Sequence, residues 1–482
     1  MNYLQDTTVL VLGLGESGLA MARWCARFGA NVRVWDSREQ PANAAALAEH
    51  VPGAQWVRGP LTDEAFVGIR LVLKSPGLSP QDERIAAPLN RAADAGVLVQ
   101  GELDLFSRAL ADLKAERGYA PKVLAITGTN GKTTTTAMAA QLIARAGRRV
   151  AAAGNIGPTM LQTLADALDR EPAAGPHANP LREPPSLDPE ADPDAEPILL
   201  TPTAPPAPVF EHLPEIWVLE LSSFQLDDVR GFEPNAGAVL NITQDHLDWH
   251  GSMSHYIAAK ARVFGKHAVM VVNRDDAMVE ALVPKPEVAP GDKGRKATTV
   301  SRHVVRFGIS APTHPGDFGL VEENGMTWLV RARELDETQK RSKGGKGSPA
   351  EPEELLIQRL MPADALRVRG RHNACNALAA LALATSVDCP LAPMLHGLRE
   401  YAGEPHRVEY IGSLGGVDAY DDSKGTNVGA TVAALDGLGA DKAPAKLVVI
   451  LGGDGKGQDF SPLADGVRRH ARAVATIGRD AA

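Results

Sequence analysis

The sequence predicts an α/β protein of three domains, each built on a largely parallel sheet. Buried-type strands alternate with helical periodicity along much of the chain, and glycine-rich turns at residues 13–18 and 128–133 each join a strand to a helix. A chain of 482 residues is too long for one core, since a domain holds roughly 100–200 residues. We expect an N-terminal domain at 1–118, a central domain at 119–402 and a C-terminal domain at 403–482.

Composition excludes several classes of protein. The net charge of −9 argues against a general nucleic-acid binder, which would present a basic face. The three cysteines are far apart, so neither disulfides nor a zinc site is expected. The N-terminus lacks the basic region of a signal peptide, and no apolar run is long enough to span a membrane. We expect a cytoplasmic monomer.

The first glycine turn, Gly13-Leu14-Gly15-Glu16-Ser17-Gly18, lies between the strand TTVLVLGLG and a helix that ends on Gly29. Asp36 ends the next strand, NVRVWD, as an acid does in Rossmann-like dinucleotide sites. This pattern predicts a nucleotide phosphate at the helix N-terminus. It leaves open whether the ligand is NAD or another nucleotide, and a turn without a ligand is the alternative. Further strands are predicted in RLVLKSPG and GVLVQGE, and the charged, weakly patterned RALADLKAERGYAPK is expected to separate the first two domains.

The second glycine turn lies in VLAITGTNGKTTTT, residues 123–136. It is shorter than the common G-x-x-x-x-G-K-[ST] phosphate loop, but it has the same strand–turn–helix context. Glycines at 128 and 131 allow backbone N–H groups to face an anion, and Lys132 would reach terminal phosphates. Thr133 or Thr134 could place a hydroxyl on Mg²⁺. A plain turn is the alternative, and the following helix is expected from Lys132 to about Ala146.

Three later stretches place further candidates near this loop. The strand that begins at Ile216 ends at Glu220, where a magnesium ligand would lie. After the strand AGAVLNIT, the segment NITQDHLDWHG groups His246 with Asp245 and other polar side chains, and Lys260 lies on a helical stretch. Each of these residues taken alone fits an ordinary surface side chain. Beside a triphosphate they become candidate metal and substrate contacts.

Two segments are expected to be exposed insertions. Residues 171–214 hold 13 of the 35 prolines, which excludes a helix or a central strand. The segment DETQKRSKGGKGSPAEPEE is a second expected flexible loop. The C-terminal domain begins near residue 403 with strands in GGVDAYDDSK and KLVVILGGDGKG. Only 80 residues remain for it, so we expect an incomplete Rossmann-like domain.

Seven motifs appear in order: GTNGKTTT, ELSSFQL, DHLDWHG, RHNACNALAA, EPHRVE, DDSKGTN and LGGDGKGQDF. Together they resemble the Mur ligases, and ELSSFQL and DDSKGTN resemble the D-glutamate-adding member most. The shortened glycine loop is the family's own form of a P-loop ATPase-like site. The resemblance implies that the N-terminal domain holds UDP, the central domain holds ATP, and the C-terminal domain closes over both. It also implies that the C-terminal domain continues beyond this chain.

The resemblance assigns the ATP and metal contacts residue by residue. Lys132 would neutralise the transferring phosphoryl group, Thr133 and Glu220 would hold one Mg²⁺, and His246 and a carbamylated Lys260 would hold a second. The implied catalytic residues are Lys132, Glu220, His246 and Lys260. The implied ATP contacts are Gly128, Thr129, Asn130, Gly131, Lys132, Thr133, Thr134, Asn373, Arg407, Asp422 and Lys424.

The other two substrates take their contacts from all three domains. For the UDP substrate, UDP-N-acetylmuramoyl-L-alanine, the resemblance implies Ser17, Asp36, Ser37, Ser75, Asn155 and His246. For D-glutamate it implies Thr426 and Lys456.

The implied activity is ADP-forming ligation of D-glutamate to the UDP-linked substrate through an acyl phosphate. This reaction belongs to peptidoglycan precursor synthesis, and hence to cell-wall growth, shape and division. A sibling ligase or a folylpolyglutamate-type ligase with another amino acid is the alternative within the class. An NAD-dependent dehydrogenase would explain the first glycine turn alone, and a nucleotide-binding regulator would bind ATP without forming ADP.

Overall fold

The computed structural model describes residues 1–172, 209–227, 229–289, 298–334, 355–455 and 457–481. Most of the proline-rich stretch and the predicted loop at 336–354 lie outside these residues, as does Lys456. Three α/β units follow one another along the chain, which confirms the predicted fold class. None of the described helices is long and apolar enough to cross a bilayer.

The N-terminal unit is a five-stranded parallel sheet of order β3-β2-β1-β4-β5. Its strands are β1 (Thr8–Leu12), β2 (Asn31–Trp35), β3 (Gln55–Trp56), β4 (Leu71–Lys74) and β5 (Leu98–Gln100). Its helices are α1 (Glu16–Arg27), α2 (Ala44–His50), α3 (Ala86–Asp94) and α4 (Glu102–Arg117). The strand order reverses beside β1, so the turns after β1 and β4 face each other at the place where α/β sheets bind ligands.

The central unit contains a six-stranded parallel sheet of order β13-β10-β9-β6-β8-β7 and a three-stranded antiparallel sheet of order β14-β15-β16. A two-stranded ribbon, β11-β12, lies in the chain between β10 and β13 of the six-stranded sheet. Its strands are β6 (Lys122–Thr127), β7 (Val150–Gly154), β8 (Ile216–Glu220), β9 (Ala236–Val239), β10 (Val269–Asn273), β11 (Glu287–Ala289), β12 (Thr298–Val300), β13 (Val304–Phe307), β14 (Phe318–Glu323), β15 (Met326–Glu334) and β16 (Leu355–Pro362). Its helices are α5 (Lys132–Arg145), α6 (Met160–Arg170), α7 (Ser223–Leu226), α8 (Leu247–His250), α9 (Met253–Ala261), α10 (Ala277–Glu280), α11 (Arg371–Thr385) and α12 (Leu391–Glu400).

The C-terminal unit pairs an antiparallel hairpin with a parallel β-α-β segment. Its elements are β17 (Glu409–Leu414), β18 (Val417–Asp421), α13 (Val428–Asp441), β19 (Leu447–Gly452), α14 (Leu463–His470) and β20 (Ala471–Ile477). The strands expected in GGVDAYDDSK and KLVVILGGDGKG are therefore confirmed.

The three units are joined in different ways. The largest cluster of buried apolar side chains contains residues of both the N-terminal and the central sheets. At this junction the rings of Phe106 on α4 and Trp217 on β8 lie 5.0 Å apart. In the described part of residues 403–482, by contrast, Leu435 is the one fully buried large apolar side chain. The C-terminal unit therefore contacts the rest of the chain without sharing its apolar cores.

One sequence expectation was wrong. The segment RALADLKAERGYAPK was expected to be a weakly patterned separator, but α4 continues through it to Arg117. The buried side chains of Phe106, Ala109 and Leu113 follow helical spacing and are hidden among charged neighbours. Gly118 ends the helix in the left-handed conformation, with φ +70°.

Candidate active site

Three loops meet at the carboxyl edge of the central sheet. Strand β6 lies between β8 and β9, and all three run parallel. Their following loops therefore lie side by side, which brings Lys132, Glu220 and His246 to one edge. The side chain of Lys132 interacts electrostatically with the carboxylates of Glu220 and Asp245.

The glycine loop has the backbone that its sequence predicts. Gly128 and Gly131 have φ angles of +154° and +82°, which favour glycine. A Cβ at Gly131 would lie 2.6 Å from the Oδ1 of Asn376 on α11. Helix α5 begins at Lys132 and ends at Arg145, so the predicted helix is confirmed.

The side chain of Lys132 folds back over its own loop. Its Nζ donates to the carbonyl oxygens of Gly128 and Thr129 at 2.9 and 2.8 Å. Burial lowers the pKa of Lys132, and the Glu220 and Asp245 carboxylates oppose that shift. The Lys132 Nζ therefore lies at the loop, where phosphate oxygens could replace the two carbonyl oxygens as its hydrogen-bond acceptors.

Glu220 is a buried carboxylate whose two oxygens differ in their contacts with the described residues. The residue is 2% exposed, and its Oε1 accepts from the Nδ2 of Asn155 at 3.0 Å. Its Oε2 has no hydrogen-bond partner among the described residues. Burial raises the pKa of Glu220, opposed by the Asn155 amide and the Lys132 ammonium. A carboxylate oxygen in this position fits a divalent cation, since hard cations prefer such ligands.

His246 and Lys260 approach the same loop from the other side. Lys260 on α9 is 2% exposed, and its Nζ donates to the Gly128 carbonyl oxygen at 2.8 Å. Burial and the nearby Lys132 hold the pKa of Lys260 well below its ordinary range. His246 has φ +52°, and burial lowers the pKa of its ring against the opposing effect of Asp245. A helical lysine is usually a surface charge, but this one is buried in the site.

The C-terminal unit contacts the loop through Arg407. Its Nη2 donates to the Oγ1 of Thr133 at 2.6 Å. Asp422 accepts from the backbone N–H of Val408 at 3.1 Å, and burial raises the pKa of Asp422 to about 6. Lys424 is exposed beside this contact.

A cavity of about 640 Å³ opens between the central and C-terminal units. Its lining includes Asn373 and Arg407, together with Tyr420 of the hairpin. Asn373 is 8% exposed, and its Nδ2 donates to the Arg369 carbonyl oxygen at 2.8 Å. The cavity has the size of a small-molecule site and lies next to the loop-binding Arg407. Two of the predicted ATP contacts, Asn373 and Arg407, therefore line it.

The remaining predicted residues are less closely grouped. Thr129 and Thr134 are buried in the loop and in α5. Thr426 is exposed in the loop before α13, and Lys456 lies outside the described residues. The structure also brings Tyr256 into the site, where its hydroxyl lies 3.0 Å from the Oγ1 of Thr129. Sequence reasoning missed this residue, although it lies one helical turn before Lys260 in YIAAK.

The N-terminal glycine turn packs closely against the turn after β4. The Oγ of Ser75 donates to the Gly13 carbonyl oxygen at 2.7 Å. A Cβ at Gly18 would lie 1.9 Å from that same carbonyl oxygen, so only glycine fits there. Ser17 lies at the start of α1 and is partly exposed, while Ser37 is exposed after β2. The three serines therefore follow strands β1, β2 and β4, at the edge of the sheet where UDP is predicted to bind.

Asp36 is already fully engaged. Its Oδ2 accepts from the backbone N–H of Leu14 at 2.7 Å, and its Oδ1 accepts from the Nε of Arg38 at 2.9 Å. Burial alone would raise its pKa, but these hydrogen bonds lower the pKa of Asp36 to about 2. In this arrangement the carboxylate shapes the glycine turn, and its contact with a ribose or base stays a prediction.

Comparison with known proteins agrees with the geometry. Residues 7–101 match the MurD-like N-terminal domain of Mur ligases, residues 126–173 and 208–310 match the Mur ligase middle domain, and residues 406–482 match the Mur ligase glutamate ligase domain. The UDP-N-acetylmuramoylalanine--D-glutamate ligase of Albidiferax ferrireducens is 55% identical over 483 residues, covering 100% of this chain and 84% of that protein. The chain belongs to the Mur ligase family.

A second ligase is similar over nearly the whole chain. The protein of the same name from Burkholderia thailandensis is 51% identical, covering 99% of this chain and 84% of that protein. Among solved Mur ligase structures, that of MurF from Thermotoga maritima in complex with ADP is 13% identical with a TM-score of 0.49, covering 99% of this chain and 86% of that one.

The buried His250 makes stability depend on pH. Its Nε2 lies 2.9 Å from the Oγ of Ser223, and burial together with Lys260 and His246 lowers its pKa to about 4. Between the ordinary histidine pKa of about 6.5 and 4 the unfolded chain binds a proton that the folded chain does not, so acid lowers the free energy of unfolding. We predict that the free energy of unfolding falls less between pH 7 and 4.5 in His250→Gln than in the unmodified chain. Urea unfolding at the two pH values measures this difference.

His396→Gln serves as the matched control, because His396 is exposed. Its free energy of unfolding should fall in acid as much as that of the unmodified chain. Equal acid losses for the His250→Gln and His396→Gln variants would contradict the assignment.

Proposed function

We propose that this Mur ligase joins D-glutamate to UDP-N-acetylmuramoyl-L-alanine in the cytoplasm, with conversion of ATP to ADP and phosphate. The observation that carries the proposal is the position of Lys132 and Glu220. Lys132 follows β6, Glu220 ends the adjacent parallel strand β8, and the two side chains interact electrostatically. The two relatives named above as D-glutamate ligases align with 100% and 99% of this chain.

The chemical problem is the inertness of a carboxylate. The substrate carboxylate oxygen attacks the γ-phosphorus of ATP, the bond to the β-bridging oxygen breaks, and ADP leaves. The amine of D-glutamate then attacks the carbonyl carbon of the acyl phosphate, and phosphate leaves through a tetrahedral intermediate. The first step brings two anions together, so cationic side chains must offset their repulsion.

Lys132 and Arg407 supply the cationic side chains. Lys132 already lies over the loop and can exchange two carbonyl contacts for phosphate oxygens. Arg407 reaches the first turn of α5 from the C-terminal unit. Because Arg407 belongs to a separate unit, both cationic side chains lie beside the phosphates only when that unit is in place.

The residues present fit Mg²⁺ at two positions. Thr133 and Glu220 would hold one ion, because the Glu220 Oε2 lacks a hydrogen-bond partner among the described residues. His246 and Lys260 would hold a second ion if Lys260 carries a carbamate. The metal would supply charge neutralisation and orientation of the phosphates. The buried Glu220 gains a counter-charge, which offsets the cost of ionising it there.

The environment of Lys260 supports the proposal that it is carbamylated. Carbon dioxide adds to a neutral amine, and the product is an anionic carbamate plus one proton. Lys260 and Lys132 donate to the same Gly128 carbonyl oxygen, and burial together with Lys132 keeps the pKa of Lys260 low. A lowered pKa favours the neutral amine that carbon dioxide requires, and conversion to an anion would replace the repulsion from Lys132 with attraction.

The substrates fit the remaining positions. The UDP group would lie on the glycine turn near Ser17, Ser37 and Ser75, and the muramoyl group near Asn155 and His246. ATP would extend from the glycine loop into the cavity beside Asn373, Arg407, Asp422 and Lys424. D-glutamate would enter from the side of Thr426 and Lys456.

The direct test is ADP formation with UDP-N-acetylmuramoyl-L-alanine and a panel of amino acids. We expect multiple turnovers with D-glutamate and little turnover with L-alanine, a diamino acid or a dipeptide. Lys132→Ala and Glu220→Ala should each lower kcat by roughly 10²-fold or more. Turnover with another amino acid would favour a sibling ligase. ATP binding without ADP formation would favour a regulator, and NADH binding without competition by UDP would favour a dehydrogenase.

Lys260 gives a separate prediction. The chain incubated with ¹³C-bicarbonate should show a carbamate carbon signal by NMR, and Lys260→Arg should lack that signal because a guanidinium does not add CO₂. The same variant should remain inactive at high bicarbonate. Lys266→Arg is the matched control, since Lys266 is exposed outside the site. A carbamate signal that persists in Lys260→Arg would contradict the assignment.

A further inference from the structure

Three asparagines connect the central sheet to the C-terminal unit. Asn241, two residues after β9, holds the backbone of Asn130 in the glycine loop by two hydrogen bonds of 2.8 and 3.0 Å. The side chain of Asn130 then points to Asn427. The Nδ2 of Asn427 donates to the Oδ1 of Asn130 at 2.8 Å, and the Nδ2 of Asn130 donates to the Oδ1 of Asn427 at 3.2 Å. We refer to the paired side chains of Asn130 and Asn427 as the amide clasp.

Asn427 also holds the start of a helix. It is the N-cap of α13, and its Oδ1 accepts from the backbone N–H of Ala430 at 2.9 Å. The first turn of α13 lies close to the glycine loop, since a Cβ at Gly429 would lie 3.2 Å from the Nδ2 of Asn130. The clasp therefore fixes the distance between this helix and the phosphate loop.

The weak apolar attachment of the C-terminal unit makes these bonds important. That unit shares no apolar core with the central sheet within the described residues. The two polar links described here, the clasp and the Arg407–Thr133 hydrogen bond, both end on the glycine loop. Loss of the clasp should therefore change the position of Arg407 relative to bound ATP.

We propose that Asn427 is a positioning residue, which acts through Asn130 to place Arg407 and α13 against the phosphate loop. The inference rests on the proposed ATP-dependent function. Each amide contributes one donor and one acceptor, so the pair is self-complementary without a charge. Its partners are 297 residues apart in the chain. The clasp can form only when the C-terminal unit lies on the loop.

The chain offers a variant that separates the clasp from the helix cap. Serine is a good N-cap, so Asn427→Ser keeps α13 capped, but its short hydroxyl cannot replace the two bonds to Asn130. Asn130→Ala removes the same two bonds from the other side and leaves the backbone bonds to Asn241. Thr431→Ala is the control, since within the described chain the Thr431 Oγ1 donates to the Asn427 carbonyl oxygen in the same turn and not to the clasp.

The test is a double-mutant cycle on ATP affinity, measured by calorimetry, and on kcat and KM for ATP. Two neutral hydrogen bonds correspond to roughly a tenfold effect. We expect Asn427→Ser and Asn130→Ala each to weaken ATP binding and to raise KM by about this factor, and the double variant to be no worse than either single variant. Thr431→Ala should change the ATP affinity and the KM for ATP little. The melting temperatures of all variants should stay close to that of the unmodified chain.

Additive effects of the two single substitutions, or unchanged ATP affinity in both, would overturn the inference. The binding measurement does not depend on turnover. Failure of the unmodified chain to form ADP would therefore overturn the proposed function, while the cycle on ATP affinity would still decide the role of the clasp.

Discussion

The structure depends on the burial of one carboxylate, that of Glu220, at the edge of a parallel sheet beside a lysine. An ionised carboxylate in such a place is costly unless a cation compensates it. Lys132 supplies part of that compensation, and the Oε2 that has no hydrogen-bond partner in the described chain leaves room for more. We propose that this site binds a phosphate and its metal, because both would compensate the charges buried there. Around it, burial lowers the pKa values of both Lys260 and His246.

The way the three units are joined matches the division of the reaction. The N-terminal and central units share an apolar core, which fixes the UDP edge relative to the glycine loop. The C-terminal unit contacts the loop through polar groups, namely Arg407 and Asn427. A unit held in this way can leave and return at low cost. We propose that the reaction depends on these polar contacts of Arg407 and Asn427 with the glycine loop.

Local patterns were sufficient to predict the central part of the site. The strand–turn–helix around Lys132 and the strand that ends at Glu220 follow from glycine spacing and apolar runs, and both are confirmed. The burial of Lys260 could not be predicted, because a lysine within a short helix carries no signal of the surface that covers it. The pairing of Asn130 with Asn427 depends on the approach of distant units. The helix α4 was missed because Phe106 and Leu113 are separated by charged residues that obscure its apolar face. The ligand roles of individual residues stay predictions.

The most direct measurement of the central claim is the binding of Mn²⁺, as a spectroscopic substitute for Mg²⁺, followed by electron paramagnetic resonance in the presence of ATP. We predict a tightly bound ion in the unmodified chain, and at least tenfold weaker binding in Glu220→Gln, which is nearly isosteric but cannot ionise. Equal Mn²⁺ affinity in both proteins would contradict the claim that this buried carboxylate and its neighbouring lysine form the metal–triphosphate site.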